Sequence, residues 1–288
     1  MVLLKIFIEL SKLRLTLSVV FSSLTGFLIA PAKEGQAGVD FLFLLLGGFF
    51  VVAASNIINQ IIEKNLDRLM DRTKNRPLPQ KRISEKQATL IAIIVGGAGI
   101  FLLYNLNFKC AFFGALALVL YTLVYTPLKR ITPFAVFVGA IPGAIPFLLG
   151  WVAATDDFSI EPGVLFAIQF MWQLPHFWAI AWLMDEDYKK AGFVLLPSGE
   201  RDKRSSFQIV TYTLFLIPIT ILPVFGITGD LLLSPYLGLA ALFFGLGLLG
   251  RSILLHKHQN LEQAKKLMFF GLLYLPLIQT IFIINRFI

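Results

Sequence analysis

The sequence predicts an all-α membrane protein, a bundle of nine transmembrane helices, and three observations predict it. Of its 288 residues 57% are hydrophobic and 15% are charged, where an ordinary soluble domain carries about 25% charged residues. Nine apolar runs approach the roughly 20 residues that cross a hydrocarbon core. The 25 lysines and arginines fall almost entirely between alternate runs. The mean hydropathy of +0.78 agrees.

The runs cover 14–31, 39–62, 88–106, 109–128, 133–154, 161–184, 207–227, 231–255 and 267–285. The first follows Lys12 and Arg14 as a secretion signal does, but its apolar stretch is long for one and reads as a retained span. Numbering the spans in order, 22 of the basic residues lie on one face. Eight of these sit in the 63–87 loop, and five more follow span six, in a charged segment at about 185–206. The other face holds Lys33, Lys109 and Arg286. By the positive-inside rule the amino terminus and both charged loops are cytoplasmic and the carboxyl terminus is outside. The expected setting is the cytoplasmic membrane, with residues 1–288 forming one domain.

The net charge of +8 therefore reflects topology and contact with anionic lipid or phosphate. No zinc-finger or RNA-binding motif is present, so nucleic acid is not an expected partner. The single cysteine, Cys110, excludes an internal disulfide framework and reads as a small packing residue.

Span two ends in a polar stripe. Asn59, Glu63, Asp67 and Asp71 recur every four residues, and each step of four drifts about 40° around a helix. Asn59, Glu63 and Asp67 share one face, and Asp71 has drifted off it. Carboxylates at membrane depth are costly and usually face a cavity. Two carboxylates and an amide there suit magnesium, which takes hard oxygen ligands and commonly shares them with substrate phosphates. Arg72, Lys74 and Arg76 follow, able to neutralise phosphate oxygens. Charge alone fits equally well an ordinary basic loop with salt bridges along a fraying helix.

The spacing Asn59-x-x-x-Glu63-x-x-x-Asp67 resembles the first acidic motif of the UbiA superfamily of prenyltransferases. The string from Asp71 to Pro79, DRTKNRPLP, looks like the haem O synthase version of it. Tyr125 and Lys129 match the family's tyrosine and lysine four apart, and the 139–151 stretch, GAIPGAIPFLLGW, matches its glycine- and proline-rich helix. Trp172-Gln173-Leu174-Pro175-His176-Phe177-Trp178 is similar to a signature of the haem branch. Asp187-Tyr188, followed by Ala191-Gly192, matches the second acidic loop. The likeness runs from about residue 10 to 285. Glu63 stands where the superfamily usually has aspartate. Leu183 stands four residues before Asp187, and Asp185 lies about 200° round a helix from that position.

What the resemblance implies is a UbiA-type fold and a magnesium-dependent farnesyl transfer. The farnesyl group would pass from farnesyl diphosphate to a vinyl group of protohaem IX, with addition of water, giving haem O. Asn59, Glu63, Asp67 and Asp187 would bind metal. Arg72, Lys74, Arg76, Lys129 and Arg130 would hold the diphosphate. Tyr125 would hydrogen-bond it or face the nascent cation. Trp172, Gln173, His176 and Tyr188 are further candidates for substrate contact. His176 reads either as a hydrogen-bonded packing residue or as a group that orients haem, whereas His256 and His258 read as solvated surface. Haem is substrate here and not a prosthetic group. A downstream haem A synthase and terminal-oxidase assembly proteins are candidate partners.

Pro142, Gly143 and Pro146 are expected to break or kink span five beside a substrate chamber, or else to pack it closely. Two other functions compete. One is a related prenyltransferase acting on an aromatic acid, a quinone precursor or a lipid. The other is a nine-helix secondary transporter, which predicts charged groups near span centres. The acidic residues sit instead at the ends of spans two and six, which fits phosphate capture.

Overall fold

The computed structural model describes residues 2–31 and 37–288, and these are helical with no strand among them. In order the helices are α1 (Val2–Ser11), α2 (Leu13–Ile29), α3 (Ala37–Asp67), α4 (Glu85–Tyr104) and α5 (Phe108–Leu128). They continue with α6 (Ala135–Thr155), α7 (Ile160–Lys190), α8 (Lys203–Ile221), α9 (Pro235–His258) and α10 (Leu261–Phe287). Eight of them, α3 to α10, are long and apolar enough to cross a membrane. The chain is an integral membrane protein. Nine apolar helices thus correspond to the nine predicted spans, but α2 has 17 residues. It rises about 26 Å, a little short of a typical hydrocarbon core. Before it the chain breaks at Lys12, whose backbone is left-handed at φ 50°. Lys33 lies outside the described residues.

Burial sorts the helices. Within its membrane window α6 is 78% buried, against 22% for α5 and 28% for α4 and α9. So α6 is the central post, and side chains such as Ile93 and Phe101 on α4 face outward, as lipid contact requires. The expected break in α6 does not occur, because the helix runs through Pro142 and Pro146. Its neighbour α7 supports it. Gln169 donates to the Gly143 carbonyl at 2.8 Å and Gln173 to the Ala140 carbonyl at 3.0 Å. On the other flank α2 and α6 touch backbone to backbone, since a Cβ on Gly26 would strike the Phe147 carbonyl and one on Gly150 the Ser23 carbonyl. Small residues allow this approach where lipid supplies no hydrophobic drive between helices.

Both acidic motifs ride on the two longest helices. α3 and α7 have 31 residues each, about 46 Å against a core of about 30 Å. Their carboxyl-terminal turns therefore project past the hydrocarbon at one end of the bundle. The two charged loops meet there, through Lys190–Asp71 at 2.5 Å and the Asp71 N–H donating to Asp187 at 2.8 Å. Lys109 and Asp156 pair at 3.4 Å at the opposite end, where the sequence places Lys109.

Candidate functional site

The site begins with a junction that the sequence does not advertise. A helix end leaves carbonyls unpaired, and a buried end must find donors. α1 ends against α3, whose Gln60 donates to the Leu10 carbonyl at 2.7 Å and whose Asn56 donates to the Ser11 carbonyl at 3.1 Å. Both amides are fully buried. This docking turns the left-handed Lys12 inward, and its Nζ donates to Asn59 Oδ1 at 3.1 Å.

From Asn59 the polar stripe continues as its spacing predicts. Asn59, Glu63 and Asp67 are all buried on one face of α3, at 1%, 4% and 0% exposure. Each meets a partner from another segment. Asn59 Nδ2 donates to Thr126 Oγ1 at 3.2 Å. Glu63 pairs with Lys129, itself buried at the end of α5. Arg76 reaches back from the loop and shares Nη1 between both Asp67 oxygens, at 3.0 and 2.9 Å. Thr73 ties the same loop down by donating to the Asp67 carbonyl at 2.9 Å. Two carboxylates thus face Lys12, Arg76 and Lys129, a formal surplus of one positive charge before any ligand binds, although burial brings the Lys12 ammonium down to about 7. Such a cluster suits a polyanion, whose oxygens can take over the cations that the carboxylates hold.

Tyr125 lies beneath this cluster, with the Lys129 ammonium 5.1 Å from its ring centroid. Its placement comes from a wide turn, as Leu120–Tyr125 is π-helical. The backbone N–H of Thr126 bonds Tyr121 O, and Thr126 Oγ1 donates to the same carbonyl at 2.8 Å. Single π turns inside α-helices are frequent at functional sites. Gly139 of α6 leaves the room, since a Cβ there would run into the Tyr125 ring.

The second acidic loop closes over the first. Asp187 accepts from the backbone N–H of Asp71 at 2.8 Å and of Arg72 at 3.2 Å. Lys190 bridges Asp71 and Asp187 at 2.5 and 3.2 Å, and Lys74 adds a pair to Asp71 at 2.6 Å. These two lysines hold the exposed Asp71 carboxyl down at about 2. Arg72 stacks over the Tyr188 ring at 5.9 Å. Asp185 points elsewhere, to Lys189 at 2.8 Å and Arg201 at 3.7 Å. So Asp187 joins the first motif's loop, although through backbone amides and not at the Asn59–Glu63–Asp67 face.

The remaining predicted residues lie apart. Arg130 points away from Lys129 and lines a groove that reaches Glu63 and Thr126 from the side. Trp172 donates Nε1 to the Gly271 carbonyl at 2.7 Å, and His176 stacks on Trp172 at 4.9 Å and packs against Gly271, so both join α7 to α10. Along α7, His176 and Trp172 stand about 16 and 22 Å from Asp187. Gln173 is spent on α6. Lys12 and Thr126 are site residues that the sequence reading missed. Lys12 reads as a topological charge, and nothing in its spacing reveals the break that turns it inward.

The oxygen donors of Asn59, Glu63 and Asp67 fit a magnesium ion that draws further ligands from phosphate and water. Among the described residues no three His, Cys, Asp or Glu side chains are placed to hold a metal together.

Residues 19–273 match the model of the UbiA prenyltransferase family. A protein of Christiangramia forsetii named protoheme IX farnesyltransferase is 51% identical over 285 residues, covering 98% of this chain and 93% of the relative. One of the same name from Flavobacterium psychrophilum is 52% identical over 283 residues, covering 98% and 94%. Among solved structures, a digeranylgeranylglyceryl phosphate synthase superposes with TM-score 0.81 at 21% identity, covering 98% of each chain. A UbiA homologue from Archaeoglobus fulgidus bound to GPP and Mg2+ gives 0.72 at 16% identity, covering 96% of this chain and 99% of that one. These two share the fold, and the family match and the close relatives settle the lineage: the chain belongs to the UbiA prenyltransferase family.

Proposed function

We propose that this protein transfers a farnesyl group from farnesyl diphosphate to a vinyl group of protohaem IX, with addition of water, to make haem O. The observation that carries the acceptor is identity above 50% to relatives named protoheme IX farnesyltransferase over 98% of the chain. The observation that carries the donor is the buried mixed-charge cluster. Its surplus positive charge matches a diphosphate, and its carboxylates match the accompanying metal.

In this reading Asn59, Glu63 and Asp67 hold magnesium, with Asp187 closing the site by fixing the 71–72 backbone or through water. Magnesium there supplies Lewis-acid stabilisation of the leaving diphosphate. Arg76 and Lys129 exchange their carboxylate partners, and Lys12 the Asn59 amide oxygen, for phosphate oxygens, and Arg72 approaches from the rim. Together they oppose the negative charge that grows as the C1–O bond breaks. The Tyr125 and Tyr188 rings present π faces to the allylic cation. A vinyl carbon of the porphyrin then bonds to C1, water adds to the resulting cation, and a proton leaves to solvent. The net balance is protohaem, farnesyl diphosphate and water giving haem O and diphosphate. No side-chain nucleophile takes part. The protein acts as one domain in the cytoplasmic membrane, with its amino terminus and charged loops cytoplasmic.

A competition assay tests the acceptor. With farnesyl diphosphate and equal protohaem and 4-hydroxybenzoate, haem is expected to be farnesylated and the acid left unchanged. Prenylation of the acid alone overturns the haem assignment.

A further inference from the structure

Lys129 and Arg130 are neighbours at the end of α5, and successive residues on a helix point about 100° apart. The structure uses that divergence. Lys129 is buried on Glu63, whereas Arg130 is exposed and lines a groove of about 480 Å³ between α3 and α5. Such a volume lies within the usual range for a small-molecule site. Ile62, Leu66, Pro127 and Ile131 form apolar walls. The floor is Glu63 and Thr126, which are also members of the diphosphate cluster through Lys129 and Asn59. The groove is therefore a side window onto the cluster, apolar along its walls and cationic at its rim. Among the described residues the Arg130 guanidinium has no hydrogen bond or ion pair, while its backbone is held, since the Val194 N–H bonds the Lys129 carbonyl at 2.8 Å.

These features match a flat apolar ring that carries carboxylates on one edge. Protohaem IX has its two propionates on one side and its vinyl groups towards the other. We propose that the groove between α3 and α5 holds the porphyrin acceptor and that Arg130 binds its propionates, directing the vinyl edge towards Glu63 and the diphosphate. This rests on the haem reading above. It gives the two adjacent cations separate ligands, with Lys129 on the diphosphate and Arg130 on the acceptor. It also keeps the charged propionates at the rim and the apolar ring between the walls, so that no carboxylate has to be buried unpaired.

The test compares wild type, Arg130→Gln and Arg130→Lys with protohaem and with its dimethyl ester, whose propionates carry no charge. Loss of a charge-assisted hydrogen bond predicts that Arg130→Gln raises KM for protohaem about tenfold. KM for farnesyl diphosphate is expected to stay within about twofold, and Arg130→Lys to fall between. Wild type is expected to favour the free acid about tenfold over the ester, and Arg130→Gln to treat them alike. Titration of the haem Soret band with protein gives the same comparison without turnover. A KM shift on farnesyl diphosphate makes Arg130 a phosphate ligand and overturns the proposal. So does an Arg130→Gln protein that keeps the full preference for the free acid, which leaves the groove to lipid. If wild type does not farnesylate protohaem at all, the haem reading fails and carries this proposal with it. Wild-type turnover alongside an acid-selective variant sinks the proposal alone.

Discussion

Asp67 has no solvent contact, and its partner Arg76 is 19% exposed. Breaking a buried pair by removing one member costs about 3–5 kcal/mol, because the other charge is left uncompensated. Asp67→Asn is therefore expected to lower the melting temperature in detergent and to cut turnover by about 10²–10³, the usual scale for losing one group that stabilises transition-state charge. Adding Arg76→Gln removes the stranded cation and is expected to regain most of the stability with none of the turnover. Wild-type turnover in Asp67→Asn contradicts its metal role. Lys12 tests the junction. Lys12→Gln keeps a donor for Asn59 but loses a charge, so KM for farnesyl diphosphate is expected to rise about tenfold. An unchanged KM returns Lys12 to topology alone. Asp71 and Asp187, both held below the usual carboxylate range, carry the pH dependence of the loop. The folded value of Asp71, about 2, lies below its ordinary value of 3.8, so its stabilising contribution is full above about pH 4 and is lost as the pH falls through 2. Hydrogen exchange across residues 68–82 is expected to stay slow at pH 4 and to quicken towards pH 2.

At the scale of the element, the helices that touch most closely do so through glycine. A Cβ on Gly26 strikes the Phe147 carbonyl, whereas one on Gly97 of α4 meets nothing within 4 Å. Gly26→Ala is expected to destabilise by about 1–3 kcal/mol through overpacking. Gly97→Ala is expected to be neutral or stabilising, since alanine favours helix. Thermal unfolding of the pair in detergent checks the contrast, and equal melting temperatures contradict the close contact of α2 and α6. What was legible at this scale followed from periodicity. The four-residue spacing of Asn59, Glu63 and Asp67 placed them on one face, and they are there. What was not legible depends on partners distant in the chain. The break at Lys12 is fixed by Asn56 and Gln60. The π turn before Thr126 leaves no compositional mark. Pro142 and Pro146 suggest a break, yet α6 continues through them, with Gln169 and Gln173 of its neighbour bonded to its carbonyls.

The whole molecule was legible from charge and length. A 22-to-3 division of lysine and arginine separates the two ends, and at one end the structure gathers the ion pairs of both long loops. With Cys110 buried and replaced by alanine, a cysteine at Lys74 is expected to react with a membrane-impermeant maleimide only from the cytoplasmic side. A cysteine at Arg286 is expected to react only from outside, and the reverse pattern inverts the topology. The Trp172–Trp178 string, which resembles the signature of the haem branch, was legible as a string but not as a place, because Trp172 and His176 pack on α10 at mid-helix, far from the acidic end. The buried charged cluster is thus concentrated at one end, where α3 and α7 outrun the bilayer. The most direct measurement is mass spectrometry of purified wild type and Asp67→Asn incubated with protohaem, farnesyl diphosphate and magnesium. The account predicts a product carrying one farnesyl group plus one water from wild type, abolished by chelating the magnesium and nearly absent from the variant. Unchanged haem with wild type, or equal product from Asp67→Asn, contradicts it.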